Sequence, residues 1–177
     1  TAVFMTLFHG LAVVALLNFT WSGLAVALAI HYVALVFGIG MSYHRLLTHR
    51  SYKTPKVIEY ALTVCATLAL EGGPMFWVAT HRRHHQHSDA DQDPHTPRHG
   101  GLWAHMGWIM TGKAMHHDTE VLRRYAPDLC KDPFHVFMSK WHWVTQVVVG
   151  LGLCVASVIS QRLRVREQPG SFTSQFG

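Results

Sequence analysis

Thr80-His-Arg-Arg-His-His-Gln-His-Ser-Asp-Ala-Asp-Gln-Asp-Pro-His95 packs five histidines and three aspartates into sixteen residues. His is the commonest metal ligand and the only side chain whose ordinary pKa lies near neutrality. His81, His84 and His85 stand at i, i+3 and i+4, a spacing that shares one face of a helix. His84 and His85 differ by about 100° in azimuth, so the trio suits a pair of metals as well as one. Adjacent imidazoles on one face repel when charged and gain little without a metal.

A second pair lies upstream, in Tyr43-His-Arg-Leu-Leu-Thr-His-Arg50. On a straight α-helix His44 and His49 would point about 140° apart. That spacing fits two different metals, or a bent helix end, better than one two-ligand grip.

Around these boxes the chain is apolar. Residues 2–19, 23–42 and 141–159 are runs without Asp, Glu, Lys or Arg. A helix of 18 residues spans roughly 27 Å, about one hydrocarbon core. The three runs are expected to be membrane spans, the first two forming a hairpin with Trp21 at its interface. Charged residues make up 14% of the 177-residue chain, against roughly 25% in soluble domains. Arg45, Arg50, Lys53 and Lys56 crowd behind the second run, which assigns residues 43–140 to the cytoplasmic side. The net charge of +5 follows from this topology, because the basic residues flank apolar runs and form no long stripe for nucleic acid.

Pro55 opens a segment from Lys56 to Leu70 with an apolar face at helical spacing. About 15 residues is short for a span, and a buried or interfacial helix is expected. Residues 113–140 are polar and expected to be helical. The polar tail 161–177, with Arg162, Arg164 and Arg166, sits awkwardly after a third span by the positive-inside rule. It is expected to be foreign to the architecture, as at a truncation, a frameshift or a fragment boundary. The three cysteines form no Cys-x-x-Cys and read as ordinary thiols. His9 and His31, inside apolar runs, are either functional groups or neutral imidazoles bonded within the bundle.

The boxes His44-Arg-Leu-Leu-Thr-His49 and His81-Arg-Arg-His-His85 resemble the first two histidine boxes of membrane-bound fatty acid desaturases. Arg50-Ser-Tyr-Lys53, Gly72-Gly-Pro74, Trp77, Asp91-Gln-Asp-Pro-His95 and His105-Met-Gly-Trp108 resemble the flanks of the acyl-CoA and acyl-lipid Δ9 branch, which is stearoyl-CoA desaturase-like. The likeness is strong over residues 20–115 and weaker over the third run. It implies an all-α integral membrane bundle with a cytoplasmic His-rich region, seen here to just past its third span. It also implies two iron ions (Fe2+), with His44, His49, His81, His84 and His85 among the ligands. A third box and a further His would lie after residue 160. His116-His117 precedes the third run and lacks the His-x-x-His-His spacing.

The implied reaction is O2-dependent removal of two hydrogens from adjacent carbons of a fatty acyl-CoA or acyl-lipid, giving a cis double bond. No haem or ferredoxin motif is present, so an external electron donor is implied: a ferredoxin, or a small b-type cytochrome with its reductase. The membrane would be a bacterial inner membrane or the endoplasmic reticulum.

Asp89, Asp91, Asp93, His95 and His105 are candidates to orient the ligands from behind, the acidic run being otherwise a solvated loop. Trp77, Trp103 and Arg82 are candidates to meet the substrate. The aromatics would line an acyl tunnel or simply pack. Arg82, like Arg83, Arg98 and Lys113, would meet a phosphate or headgroup, or serve topology alone. His87 and His99 read as surface residues. A hydroxylase or ketolase on the same scaffold, and a membrane metal transporter or buffer, are the other readings. A transporter would place its polar residues in mid-span, whereas the boxes lie just outside the runs.

Overall fold

The computed structural model describes residues 2–111 and 118–167, with side chains at 3–111 and 118–163. Lys113, the His116-His117 pair and tail residues 168–177 lie outside the described residues, as do the side chains of Arg164 and Arg166. Every regular element among the described residues is helical.

Helix α1 runs Ala2–Leu17 and α2 runs Trp21–Tyr32. The break between them is built by Thr20, whose hydroxyl accepts the Gly23 N–H at 3.1 Å and caps α2. Beyond Tyr32 the same rod continues as a π-helix, Val33–Thr48. Helices α3 (Lys56–Thr67) and α4 (Pro74–Gln86) follow. Pro74 stands at the first helical position of α4, where a missing N–H costs nothing. A π-turn, Trp103–Gly107, leads into the short α5, Trp108–Met110. Helix α6 is Thr119–Tyr125, capped by Asp118, and α7 is Pro133–Glu167. Within α7, Trp141 leaves helical geometry at φ −115°, ψ 18°, the residue at which the third apolar run begins.

Two rods, Trp21–Thr48 and Pro133–Leu163, are long and apolar enough to cross a membrane, and Val3–Leu17 is a shorter apolar helix. Their outward side chains are exposed: Leu17, Trp21, Val148 and Leu151 are all open to the surroundings. The packed core lies at the other end, where Tyr43, Leu46 and Leu47 of the π-helix meet Ala66, Val78, Ala79, Ala126 and Leu129.

Helix α3 buries its apolar face only in part, Leu62, Val64 and Cys65 being half-buried. Val57 and Ile58 are exposed, and the buried positions are Thr63, Ala66 and Thr67. Close crossing is the reason. A Cβ on Gly38 would stand 2.5 Å from the Ala66 Cα, so the π-helix and α3 touch backbone to backbone. Only small residues fit there, and the hydroxyls are satisfied locally: Thr63 bonds the Glu59 carbonyl at 2.8 Å and Ser42 at 3.3 Å. Gly73 does the same for α4 against α7, a Cβ there falling 2.6 Å from the Ser139 Cα. The two contacts bring the histidine-bearing segments under one roof.

Candidate metal centre

The π-helix changes the reading of the first box. Its hydrogen bonds run from i+5 to i, and the His49 N–H donates to the His44 carbonyl at 3.0 Å. Thr48 adds a side-chain bond to the Tyr43 carbonyl, also five residues back, at 2.7 Å. Residues five apart therefore stack, and the rings of His44 and His49 lie 4.5 Å apart. The 140° separation expected on an α-helix is replaced by a single two-histidine grip.

Helix α4 brings the second pair. His81 and His85, at i and i+4, have ring centroids 4.6 Å apart. Across the interface His44 is 5.0 Å from His81, and His49 is 4.8 Å from His85. One ligand atom from each of the four lies within 4.8 Å of all the others. The Nε2 atoms of His81 and His85 face one another at 3.1 Å. Metal–imidazole bonds of about 2.0–2.1 Å at 90–110° put ligand nitrogens about 2.9–3.4 Å apart.

Electrostatics agree. Burial, then the neighbouring His85, His44, His49 and His84, pushes the His81 pKa down to about 3. His49 is lowered as well, by burial and then by His44 and His85. His49 and His81 are thereby held neutral at physiological pH, the form in which imidazole binds a cation.

His84 is turned out of this group. Its ring lies 6.2 Å from His81, and its Nδ1 donates to the Asp93 carboxylate at 3.0 Å. His95 stacks on it at 4.4 Å. His84, Asp93 and His95 form a second compact donor set. With Nδ1–H held by a carboxylate, the Nε2 of His84 keeps its lone pair and a fixed direction.

Of the three loop aspartates, only Asp93 is buried, with its side chain wholly enclosed. It also accepts the N–H groups of Asp89 and His95, each at 3.1 Å. Burial alone would raise its pKa. The bonds from His84, His95 and Asp89 outweigh that and hold the carboxyl below its usual range. Asp89 and Asp91 are exposed, Asp89 taking a left-handed φ of 60° that turns the loop. His105 is exposed on the π-turn, outside both donor sets. His87 reaches the Tyr125 hydroxyl at 3.3 Å.

Trp77 leans on the cluster. Its ring is 4.7 Å from His81 and 5.6 Å from Tyr43, and its Nε1–H donates to Glu71 at 2.7 Å. Trp77 and His81 help to line an open groove of about 1550 Å³, together with Phe4, Phe8, Val26 and Ile30. His9 and His31 also border it, His9 hydrogen-bonding the Met5 carbonyl at 2.7 Å. Trp103 faces His99, at 5.8 Å between rings, and is not part of the groove wall. Arg82 turns the opposite way, into a fork on Asp128.

A third donor set had no signature in the sequence. Glu59, Asp132 and the wholly buried His135 converge, across 76 residues of chain. Here the chain supplies its own cation: the Lys56 ammonium stands 2.7 Å from Glu59 and 2.8 Å from Asp132.

Apolar rods and a cluster of four imidazoles beside an apolar groove form a helical arrangement whose donor atoms could hold a metal. The chain belongs to the fatty acid desaturase family. It is 43% identical over 134 residues to an sn-1 stearoyl-lipid 9-desaturase of Anabaena variabilis, covering 76% of this chain and 48% of that protein. To an sn-2 palmitoyl-lipid 9-desaturase of Nostoc sp. (strain 36) it is 39% identical over 154 residues, 86% of this chain and 54% of the other. The Delta-9 acyl-lipid desaturase 1 of Arabidopsis thaliana is 49% identical over 107 residues, 60% of this chain and 35% of its own length. The chain spans about half the length or less of these curated relatives. No family model matches it.

Proposed function

We propose that this chain is part of an iron-dependent acyl desaturase that inserts a cis double bond, at the Δ9 position, into a saturated fatty acyl chain carried on a lipid or on CoA. The observation that carries the reading is the four-imidazole cluster, with one donor atom from each histidine within 4.8 Å of the rest, one of whose members, His81, also lines the apolar groove. The relatives' names supply the acyl substrate and the position of the double bond.

His44, His49, His81 and His85 would hold one iron. His84, its Nδ1 fixed by Asp93, would present Nε2 to a second, with His95 packed behind. Bound iron supplies the O2-derived oxidising power that an unactivated C–H bond demands and that no acid or base side chain provides. The balance is one CH2–CH2 unit, O2, two electrons and two protons, giving one CH=CH unit and two waters. The electrons come from an external donor, a ferredoxin or a small b-type cytochrome. The groove's apolar walls, Phe4, Phe8, Val26 and Ile30, would take up the acyl chain and exclude water. Trp77, held by Glu71, would close the groove against His81 and set how far the chain advances. Arg82 is spent on Asp128, which leaves it little to offer a headgroup.

The rods Trp21–Thr48 and Pro133–Leu163 would cross the membrane with Thr48 and Pro133 on one side. Arg45, Arg50, Lys53 and Lys56 gather at that end and favour the cytoplasmic face. The residues before Trp21 would lie against the same bilayer.

The test is product analysis. Cells expressing the protein under O2 should accumulate a cis-9 monoenoic acid, and His81→Ala should abolish it. A hydroxy acid in place of the alkene would point to a hydroxylase on the same scaffold. Metal flux without O2 consumption would overturn the enzyme reading.

A further inference from the structure

We infer that Asp128 is a positioning residue that locks the two histidine boxes in register, through the arginine that follows a cluster histidine in each. His49 is followed by Arg50, and His81 by Arg82. Both guanidinium groups end on the same carboxylate. Arg82 grips it as a fork, with Nη1 at 2.7 Å from Oδ1 and Nη2 at 3.1 Å from Oδ2. Arg50 meets Oδ2 at 2.8 Å. Bidentate pairing of this kind fixes orientation as well as distance.

The remaining donors of Arg82 complete the lock. Nη2 donates to the Leu47 carbonyl at 2.6 Å, and Nη1 to the Tyr125 carbonyl at 3.0 Å. Leu47 lies between His44 and His49, in the last turn of the π-helix, where carbonyls lack intrahelical partners. One arginine on α4 therefore caps the segment that carries the other two ligands. Arg50 leaves that segment with a left-handed φ of 51°, which turns the chain so that its side chain meets Asp128. Such a conformation costs a non-glycine residue free energy unless its surroundings hold it.

Asp128 sits in the turn between α6 and the short 3-10 segment Leu129–Lys131, beside the core residues Ala126 and Leu129. Burial works against its charge. The bonds from Arg82 and Arg50 prevail and hold it ionised, well below the ordinary carboxylate range. Any slide of the π-helix along α4 would break one arm of the clamp. The four imidazoles are brought together by two separate segments, and this is the ion-pair network that spans both. Asp128 acts through arginines, so its effect is on ligand geometry.

This inference rests on the reading of the histidine cluster as a metal centre, and the experiment separates the two. Co2+ is titrated into the metal-free protein and read by its visible ligand-field absorption, with helix content followed by circular dichroism. Wild type should bind and give an imidazole-type spectrum. Asp128→Ala and Asp128→Asn should keep their helix content, weaken Co2+ binding about 10-fold, the lower end for residues that orient ligands from behind, and alter the band shape. Asp128→Glu should restore most of both. Lys140→Ala, which removes an exposed cation on α7 away from every donor set, should match wild type. A wild-type Kd and spectrum in Asp128→Asn would overturn the inference, as would equal weakening in Lys140→Ala. Loss of helix in Asp128→Asn would make Asp128 a folding residue and overturn it too. No Co2+ spectrum from wild type would remove the metal centre itself.

Discussion

Two of the donor clusters among the described residues differ in charge. His44, His49, His81 and His85 bring four imidazoles together with no cation of their own. Glu59, Asp132 and His135 bring two carboxylates and one imidazole together, with the Lys56 ammonium already between the acids. Each has the residue types and the spacing of a metal site. In the first, burial and the neighbouring imidazoles push His81 down to about 3 and lower His49 as well, and a bound cation would relieve the crowding. In the second the Lys56 ammonium already bridges the two carboxylates, and a metal would have to displace it. Proximity of ligand atoms alone does not make a site; what is left uncompensated does.

The largest effect should follow removal of a central imidazole. His81→Ala is expected to lower iron affinity by more than about 100-fold, since even outer partners of ligands cost 10–100-fold, and to abolish product. Iron content of purified protein and acyl-chain analysis check both. Asp93→Asn should cost about 10–100-fold in affinity, because it releases the Nδ1–H of His84. The same titration of metal-free protein reads it.

Acid should separate the clusters next. His81 has a folded pKa lowered from the ordinary 6.5 to about 3. Below pH 6.5 the unfolded chain binds the proton first, so metal-free protein loses stability as pH falls from 6.5 toward 3. Asp132 is also lowered: burial opposes, but the bonds from Lys56, the charge of His135, the Phe134 N–H and the Tyr60 hydroxyl prevail. Its contribution is present above about pH 4 and is lost only below that, as an Asp with a depressed pKa requires. Melting temperature against pH should therefore fall in two steps, and His81→Gln should remove part of the first. The smallest effect is predicted for Asp132→Asn, about 1 kcal/mol for a partly exposed pair, with iron content unchanged.

Much of this was legible in the sequence, but unevenly. Apolar runs without charge marked the long rods, and Thr20 marked the break. Family membership was legible in the two boxes and their flanks. On straight α-helical geometry His44 and His49 stand apart, and only a bent helix end would bring them together. Nothing in Val33–Thr48 announces a π-helix, and that winding is what stacks them. Asp93 could not be told from Asp89 and Asp91 by composition. The turns from His87 to Ala90 and Ala90 to Asp93 bury the third aspartate and leave the others outside. Arg82 was weighed as a headgroup contact. Its partner Asp128 is 46 residues away, and His135 meets Glu59 across 76. Pairings of that range carry no local pattern. On α3 the close Gly38–Ala66 crossing selects small residues at the most buried positions, which the apolar stripe alone does not mark.

Iron K-edge X-ray absorption of the iron-loaded protein tests the central claim most directly. The account predicts an imidazole-rich shell, seen by ring multiple scattering, that persists in Asp132→Asn and collapses in His81→Ala. An oxygen-dominated shell without imidazole scattering, lost in Asp132→Asn and kept in His81→Ala, would contradict it.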